Sequence, residues 1–275
     1  RNLYMGQWYD GMRTGFGFDL SMKKHIRVGE WLRDRYLGER LEYTSDRIYG
    51  IDISRFQHDV GRKHYPIDWS RVRISHLGKI SRKHVRGNVD YPISFCYIKS
   101  TEGTSIRNRY YHADCTAARG RGIKVGAYHF FSTRSSASAQ AQFFIRNTSF
   151  HKGDLPPVLD VEPTHAQIKK MGGPEPLFRA VRTWLRIVGA HTGTRPVLYI
   201  SQNFVNRYLP SAPDLKHDYN IWIARYGEYK PDVHLVYWQL CPDGRVTGIR
   251  PEVDINVFNG YKNEYRDFLS KECIK

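Results

Sequence analysis

Eight short apolar runs follow one another between Tyr49 and Phe258, at 49–54, 95–100, 125–131, 157–162, 197–201, 220–226, 235–240 and 252–258. They are rich in β-branched and aromatic residues, which suit a pleated, buried surface. Amphipathic segments separate the first five, most clearly at 106–120, 135–147 and 175–191. Ser135, Ser136 and Ser138 offer N-caps for the helix over 135–147. Near-continuous apolar strands alternating with helices predict parallel strands buried on both faces. Eight such strands predict a closed barrel, and the last three connections are too short for full helices. The expectation is an α/β chain with a (β/α)8-like barrel whose final third lacks regular helices.

Polar residues fall at the ends of these runs, where barrels of this kind build their sites. Successive runs carry Asp52; Lys99, followed by Glu102; Tyr128 and His129; Asp160 and Glu162; Tyr199 and Ser201; Trp222 and Arg225; Trp238 and Gln239; Asp254 and Asn256. The segment Val158-Leu159-Asp160-Val161-Glu162-Pro163 holds two carboxylates at i, i+2, which share one face of a strand. Pro163 ends the ladder. Like charges that close raise one pKa, which suits a proton donor working near neutral pH. Each residue also has a plainer reading. Asp160 and Glu162 fit a solvated acidic strand end, Asp52 and Asp254 fit backbone-bonding strand ends, and His129 fits a hydrogen-bonded core histidine. Their co-location argues for a carbohydrate-cleaving site.

Composition narrows the partners. A net charge of +16 implies an anionic partner such as nucleic acid, acidic membrane or acidic wall polymer. The 19 tyrosines and 6 tryptophans fit a sugar cleft or an aromatic-rich core. No nucleic-acid-binding signature is present, and the basic residues are dispersed. No apolar run approaches the length of a membrane span. His58, His64, His76 and His84 lack metal-ligand spacing, so neither metal nor cofactor is expected. Cys96, Cys115, Cys241 and Cys273 form no CxxC, and Cys96 and Cys241 read as buried thiols. The chain opens Arg-Asn-Leu-Tyr without an initiator Met. A removed upstream segment is expected, with a secreted, periplasmic or cell-envelope location.

The first 45 residues follow another rule. Gly6, Trp8 and Gly15 recur 23 positions later as Gly29, Trp31 and Gly38. Alternation around Asp10-Gly11 reads as a two-residue β-hairpin, whereas the second copy has Arg33-Asp34 at the turn. The pattern resembles the MORN repeat, a β-hairpin module. Residues 1–45 are therefore expected to be an appendage to a barrel domain over 46–275.

The barrel residues together resemble glycoside hydrolase family 25, the Chalaropsis-type lysozymes, over roughly 48–268. The resemblance rests on Gly50-Ile51-Asp52-Ile53-Ser54, Tyr97-Ile98-Lys99-Ser100-Thr101-Glu102-Gly103, Gly126-Ala127-Tyr128-His129-Phe130 and Leu159-Asp160-Val161-Glu162. It continues through Leu198-Tyr199, Ile221–Tyr226, Trp238-Gln239 and Val253-Asp254-Ile255-Asn256. It implies an irregular barrel of five βα units followed by three strands. It also implies hydrolysis of the β-1,4 bond between N-acetylmuramic acid and N-acetylglucosamine in peptidoglycan. Glu162 would be the general acid/base, with a pKa raised by burial and by Asp160. Asp160 would assist it, and Asp52 and Asp254 would complete an acidic floor. Lys99, Glu102, Tyr128, Tyr199, Trp222, Trp238, Gln239 and Asn256 would bind substrate. Two carboxylates on one strand do not flank a sugar ring, so a 2-acetamido group serving as its own nucleophile, with retention, fits the spacing. The alternative is a non-catalytic wall-glycan-binding protein. One departure is the basic stretch 62–90, which includes Arg62, Lys63, Arg71, Arg73, Lys79, Arg82, Lys83 and Arg86; it reads as a polymer-binding loop or as a solvated surface helix and loop.

Overall fold

Strands cover all eight apolar runs, and they close into one barrel. The structure is a computed structural model describing residues 3–20, 26–38, 43–79, 88–224 and 234–275. Strands β1 (Leu3–Tyr9), β2 (Met12–Leu20), β3 (Ile26–Leu32) and β4 (Arg35–Gly38) form a separate antiparallel sheet. β5 (Tyr49–Ile53) opens the barrel, followed by the small pair β6 (Asp59–Val60) and β7 (Lys63–His64), then β8 (Arg73–His76) and β9 (Asn88–Tyr91). Next come β10 (Phe95–Glu102), β11 (Ile106–Arg107), α1 (Tyr111–Gly120), β12 (Lys124–Phe130), α2 (Ala137–Asn147) and β13 (Val158–Val161). After β13 lie α3 (His165–Lys170), α4 (Pro174–Thr192), β14 (Val197–Ser201), α5 (Gln202–Arg207) and α6 (Pro213–His217). The chain ends with β15 (Asn220–Ala224), β16 (His234–Thr247), β17 (Ile249–Phe258) and α7 (Lys262–Glu272).

Around the barrel the order is β5, β10, β12, β13, β14, β15, β16 and β17, with β17 pairing back to β5. The first seven run parallel, as their apolar continuity predicts. β17 differs, running antiparallel to both β16 and β5. Only Gly248, at φ +89°, separates β16 from β17, and a connection that short must return antiparallel. The first crossover carries no α-helix among its described residues; β8 and β9 extend the sheet beside β16 instead. Arg82, Lys83, His84 and Arg86 lie outside the described residues, as do Arg225 and Tyr226.

The helices sit where polarity and caps place them. Ser136 caps α2 by accepting from the Ala139 amide. α4 starts at Pro174, ends at Gly193 (φ +66°), and buries Leu177, Val181, Trp184 and Val188 along one stripe. α7 closes one mouth of the barrel. Its Tyr265 and Phe268 rings lie 5.1 and 5.4 Å from Phe258, at the end of β17, and Tyr265 lies 6.3 Å from Phe95, at the start of β10. Large and small residues alternate inside. A Cβ on Gly50 would lie 2.2 Å from the Phe95 ring, and one on Gly126 would lie 2.2 Å from the Tyr97 ring. All four cysteines are free and buried.

In the N-terminal sheet both hairpins form. Asp10 and Gly11 take φ values of +50° and +72°, as a two-residue turn demands. Arg33 and Asp34 adopt the same left-handed backbone without glycine, at +46° and +67°. Arg13 compensates, donating from its backbone N–H and from Nε to Asp34 Oδ1 at 3.0 and 2.9 Å. The repeat-related tryptophans differ: Trp31 is 2% exposed beneath the Arg13 guanidinium, whereas Trp8 is 58% exposed.

Filling the Gly50 position tests the interior packing. Gly50→Ala should lower the unfolding free energy by roughly 1–3 kcal/mol, the usual cost of overpacking. Denaturant titration measures it, and an unchanged midpoint would contradict the contact with Phe95.

Candidate active site

Strand alternation decides what faces the barrel axis. On β13, Leu159 and Val161 join the outer core and Val158 the inner one. Asp160 therefore points inward, between its register partners Phe130 on β12 and Tyr199 on β14. Glu162 lies one residue beyond Val161, the last residue of β13, because Pro163 has no N–H to extend the ladder. Asp52, Lys99, Tyr128, Asp160, Glu162, Tyr199, Trp222 and Asp254 all line one cavity of about 210 Å³. The sequence reading placed all eight in the site. It missed Ser54, Phe56 and Phe130, which line the same cavity. Phe130 was legible, being two residues after Tyr128 on the same inward face. Phe56 was not, because it lies past the strand on a 3-10 turn. That turn is held by a capping box between Ser54 and Gln57 and by Gln57 Nε2 donating to Glu252 O at 3.0 Å.

Four carboxylates share this space, and burial makes ionisation costly for two of them, Asp160 and Asp52. Asp160 is 8% exposed, and its Oδ1 has no hydrogen-bond partner among the described residues. Burial, and then the neighbouring Glu162, drive its carboxyl well above the usual range. Burial also pushes Asp52 up to about 6, opposed by hydrogen bonds from Asn256, Asp254 and Gln239. Asn256 is fully buried; its amide donates to Asp52 Oδ2 at 2.7 Å, and its Oδ1 accepts from Trp222 Nε1 at 3.0 Å. Gln239 and Asn256 thus support Asp52 from behind. Asp52 takes side-chain partners instead of the backbone amides of its plainer reading.

Two expectations need correction. Glu162 is exposed, not buried, because it has left the strand; the burial cost falls on Asp160. Trp238 does not shape the cavity. It is fully buried in the outer core, since Tyr237 takes the inward position beside it on β16. The Lys99 and Glu102 side chains form an ion pair with each other at 2.5 Å, with Lys99 Nζ 4.9 Å from the Phe130 ring. Glu102 faces a second, outer cavity. His129 is the core histidine of its plainer reading. Nδ1 lies 2.7 Å from Thr101 Oγ1 and Nε2 lies 3.0 Å from Gln140 Oε1. The Gln140 amide nitrogen donates to Ser132 O and Ser135 O, so its Oε1 accepts from His129 Nε2–H. Burial lowers this imidazole to about 4 and keeps it neutral.

The sign of the Asp52 effect follows from its raised value. The folded state holds that proton more tightly than the unfolded chain, whose aspartate titrates near about 3.9. The stabilising contribution is complete below about pH 4 and is lost as pH rises through about 6. Asp52→Asn should therefore raise the denaturation midpoint relative to wild type near pH 8 and give no such gain near pH 4. An equal difference at both pH values would refute the assignment.

Known proteins resemble this chain in sequence and in fold. The sequence model of Glycosyl hydrolases family 25 matches residues 51–249. The "Uncharacterized protein YegX" of Escherichia coli (strain K12) is 35% identical over 229 residues, 82% of this chain and 75% of its own length. "Lysozyme M1" of Streptomyces globisporus is 31% identical across 78% of this chain and 68% of its own length. The solved structure of a family 25 glycosyl hydrolase from Bacillus anthracis superposes with a TM-score of 0.64 at 27% identity, covering 83% of this chain and 96% of that one. A match across most of the barrel, together with the inward acid cluster, makes this chain a member of glycosyl hydrolase family 25.

Proposed function

We propose that this glycoside hydrolase is a muramidase of the lysozyme type, cutting the β-1,4 bond between N-acetylmuramic acid and N-acetylglucosamine in peptidoglycan. The observation that carries the reading is the Asp160–Glu162 pair. One carboxyl is buried with an unpartnered oxygen, the other is exposed, and both open into a cavity with aromatic walls and an acidic floor. The relative named as a lysozyme supports the same chemistry.

In this reading the pair holds one proton. Substrate seats its 2-acetamido N–H against Asp160, which supplies the missing partner of Oδ1. The shared proton then rests on Glu162, next to the glycosidic oxygen. As the C1–O bond breaks, Glu162 protonates the leaving oxygen and the acetamido oxygen attacks C1, giving a cyclic oxazolinium. Its positive charge offsets the cost of ionised Asp160. Water, deprotonated by Glu162, then opens the ring at C1 from the face the leaving group vacated, so configuration is retained. Asp52 and Asp254 add negative potential below the ring, and Tyr128, Tyr199 and Trp222 bound the sugar. Lys99 is held by Glu102 at the rim. The net charge of +16 favours an anionic wall as partner and the cell envelope as the place of action. Residues 1–45, with their MORN-like spacing, serve as an appendage outside the chemistry of the 46–275 domain.

Glu162→Gln should leave the unfolding midpoint unchanged and reduce reducing-sugar release from purified peptidoglycan by at least ~10²-fold. Turnover near wild type in that variant would remove Glu162 from the mechanism. The stereochemistry is a separate test. NMR of the first-formed product should show the β anomer; an α anomer would point to inversion by a water-activating base, with Asp52 or Asp254 as candidates.

A further inference from the structure

A second cavity, of about 520 Å³, adjoins the first, and Phe130 and Glu162 line both. Its size falls within the range of about 300–1,000 Å³ common for ligand pockets. Three loops build it: the β10–β11 turn with Thr104 and Ser105, the β12–α2 loop with Ser132 to Ser135, and the β13–α3 entry after Glu162. The β12–α2 loop is fixed from beneath. Gln140, fully buried, accepts from Ser132 N at 2.9 Å and donates to Ser132 O and Ser135 O at 2.7 and 3.0 Å. Ser132 Oγ in turn accepts from Arg134 N at 3.2 Å. Arg134 is exposed on this held loop, and no acidic side chain pairs with it among the described residues.

The two cavities differ in charge. The inner one gathers four carboxylates around one cation, Lys99, which Glu102 already neutralises. An anionic group on the substrate is repelled there. Among the described residues Arg134 is the cation lining the outer cavity, together with the hydroxyl-bearing Thr104, Ser105, Ser132, Thr133 and Ser135; of its two carboxylates, Glu102 is paired with Lys99 and Glu162 is shared with the inner cavity. Muramic acid differs from its neighbouring sugar by a lactyl ether that carries a peptide with free carboxylates. With that sugar seated over Asp160 and Glu162, the peptide must leave the acidic pocket.

We propose that the outer cavity is a subsite for this acidic stem peptide, with Arg134 receiving a peptide carboxylate. The proposal rests on the muramidase reading and names the part of the substrate that the outer cavity recognises. A planar guanidinium on a pre-fixed loop suits a carboxylate at little ordering cost. The serine and threonine hydroxyls offer partners to the peptide amides.

The test compares two forms of one substrate: glycan strands with intact stem peptides, and the same strands stripped by an amidase, which leaves the lactyl carboxylate on the sugar. Wild type should cut both, the peptide-bearing form faster. Arg134→Ala should lose roughly fivefold in kcat/KM on peptide-bearing strands, as expected for one partly solvated ionic contact, and less than about twofold on stripped strands. Arg134→Lys should keep most of the preference. Equal losses on both substrates would mean that Arg134 reads the glycan or the lactyl group, and no loss on either would mean that it reads nothing; both overturn the subsite. Wild-type protein that cuts neither form would instead overturn the muramidase reading. Because Arg134 is exposed, all variants should unfold at the wild-type midpoint.

Discussion

Pairing of β17 with β5 on one side and β16 on the other closes the sheet, and it is antiparallel on both sides. In an all-parallel barrel each strand presents its C-terminal end to the catalytic rim. A reversed strand turns its N-terminal side to that rim instead. Asp254 thereby stands in register with Asp52, and Asn256, two residues further on, reaches both Asp52 and Trp222. Half of the acidic floor, Asp254, and half of its support, Asn256, thus come from one hairpin strand. That strand is also where α7 covers the opposite mouth, through Phe258. One ladder therefore fixes the closure, the floor and the plug.

The same closure forces together groups that a stable core would keep apart. Asp160 sits buried with its Oδ1 unpartnered among the described residues, and Asp52 is held above its ordinary titration range. Such sites oppose folding and persist because the surrounding barrel over-determines them. The counterweight is the aromatic interior, where Tyr97, Trp222 and Tyr237 meet edge-on or tilted at 5.1 to 5.7 Å. The Tyr97 hydroxyl donates to Pro156 O at 3.2 Å and Trp222 Nε1 to Asn256 Oδ1 at 3.0 Å, and burial holds the Tyr97 and Tyr237 hydroxyls un-ionised.

Much of this was legible in the chain because strands announce themselves by composition and by a period of two. All eight barrel strands, the inward pairing of Asp160 with the aromatics, and the helices over 137–147 and 174–192 follow from those signals. Strand direction does not, since residues on a strand look alike whichever way it runs; only the one-residue link at Gly248 betrays β17. Trp238 misled because an aromatic beside Gln239 shares its run but not its face. Phe56 escaped because a 3-10 turn has no such period. The burial of Glu162 was misjudged because it stands one position past Val161, the last ladder residue, and directly before Pro163. The Arg33-Asp34 turn formed without glycine because a partner from another strand, Arg13, supplied what local preference withheld.

Gln140 binds the core and the cleft wall through one side chain: its Oε1 accepts from His129, and its amide holds the carbonyls of Ser132 and Ser135. All of its partners in the loop are main-chain atoms. The exposed side chains carried there, Arg134 among them, play no part in shaping the bracket that presents them. Inheritance can therefore rewrite those positions while the barrel and its acids stay as they are. A lineage built on this scaffold can change its diet of wall chemistries one surface residue at a time, without passing through an unfolded ancestor.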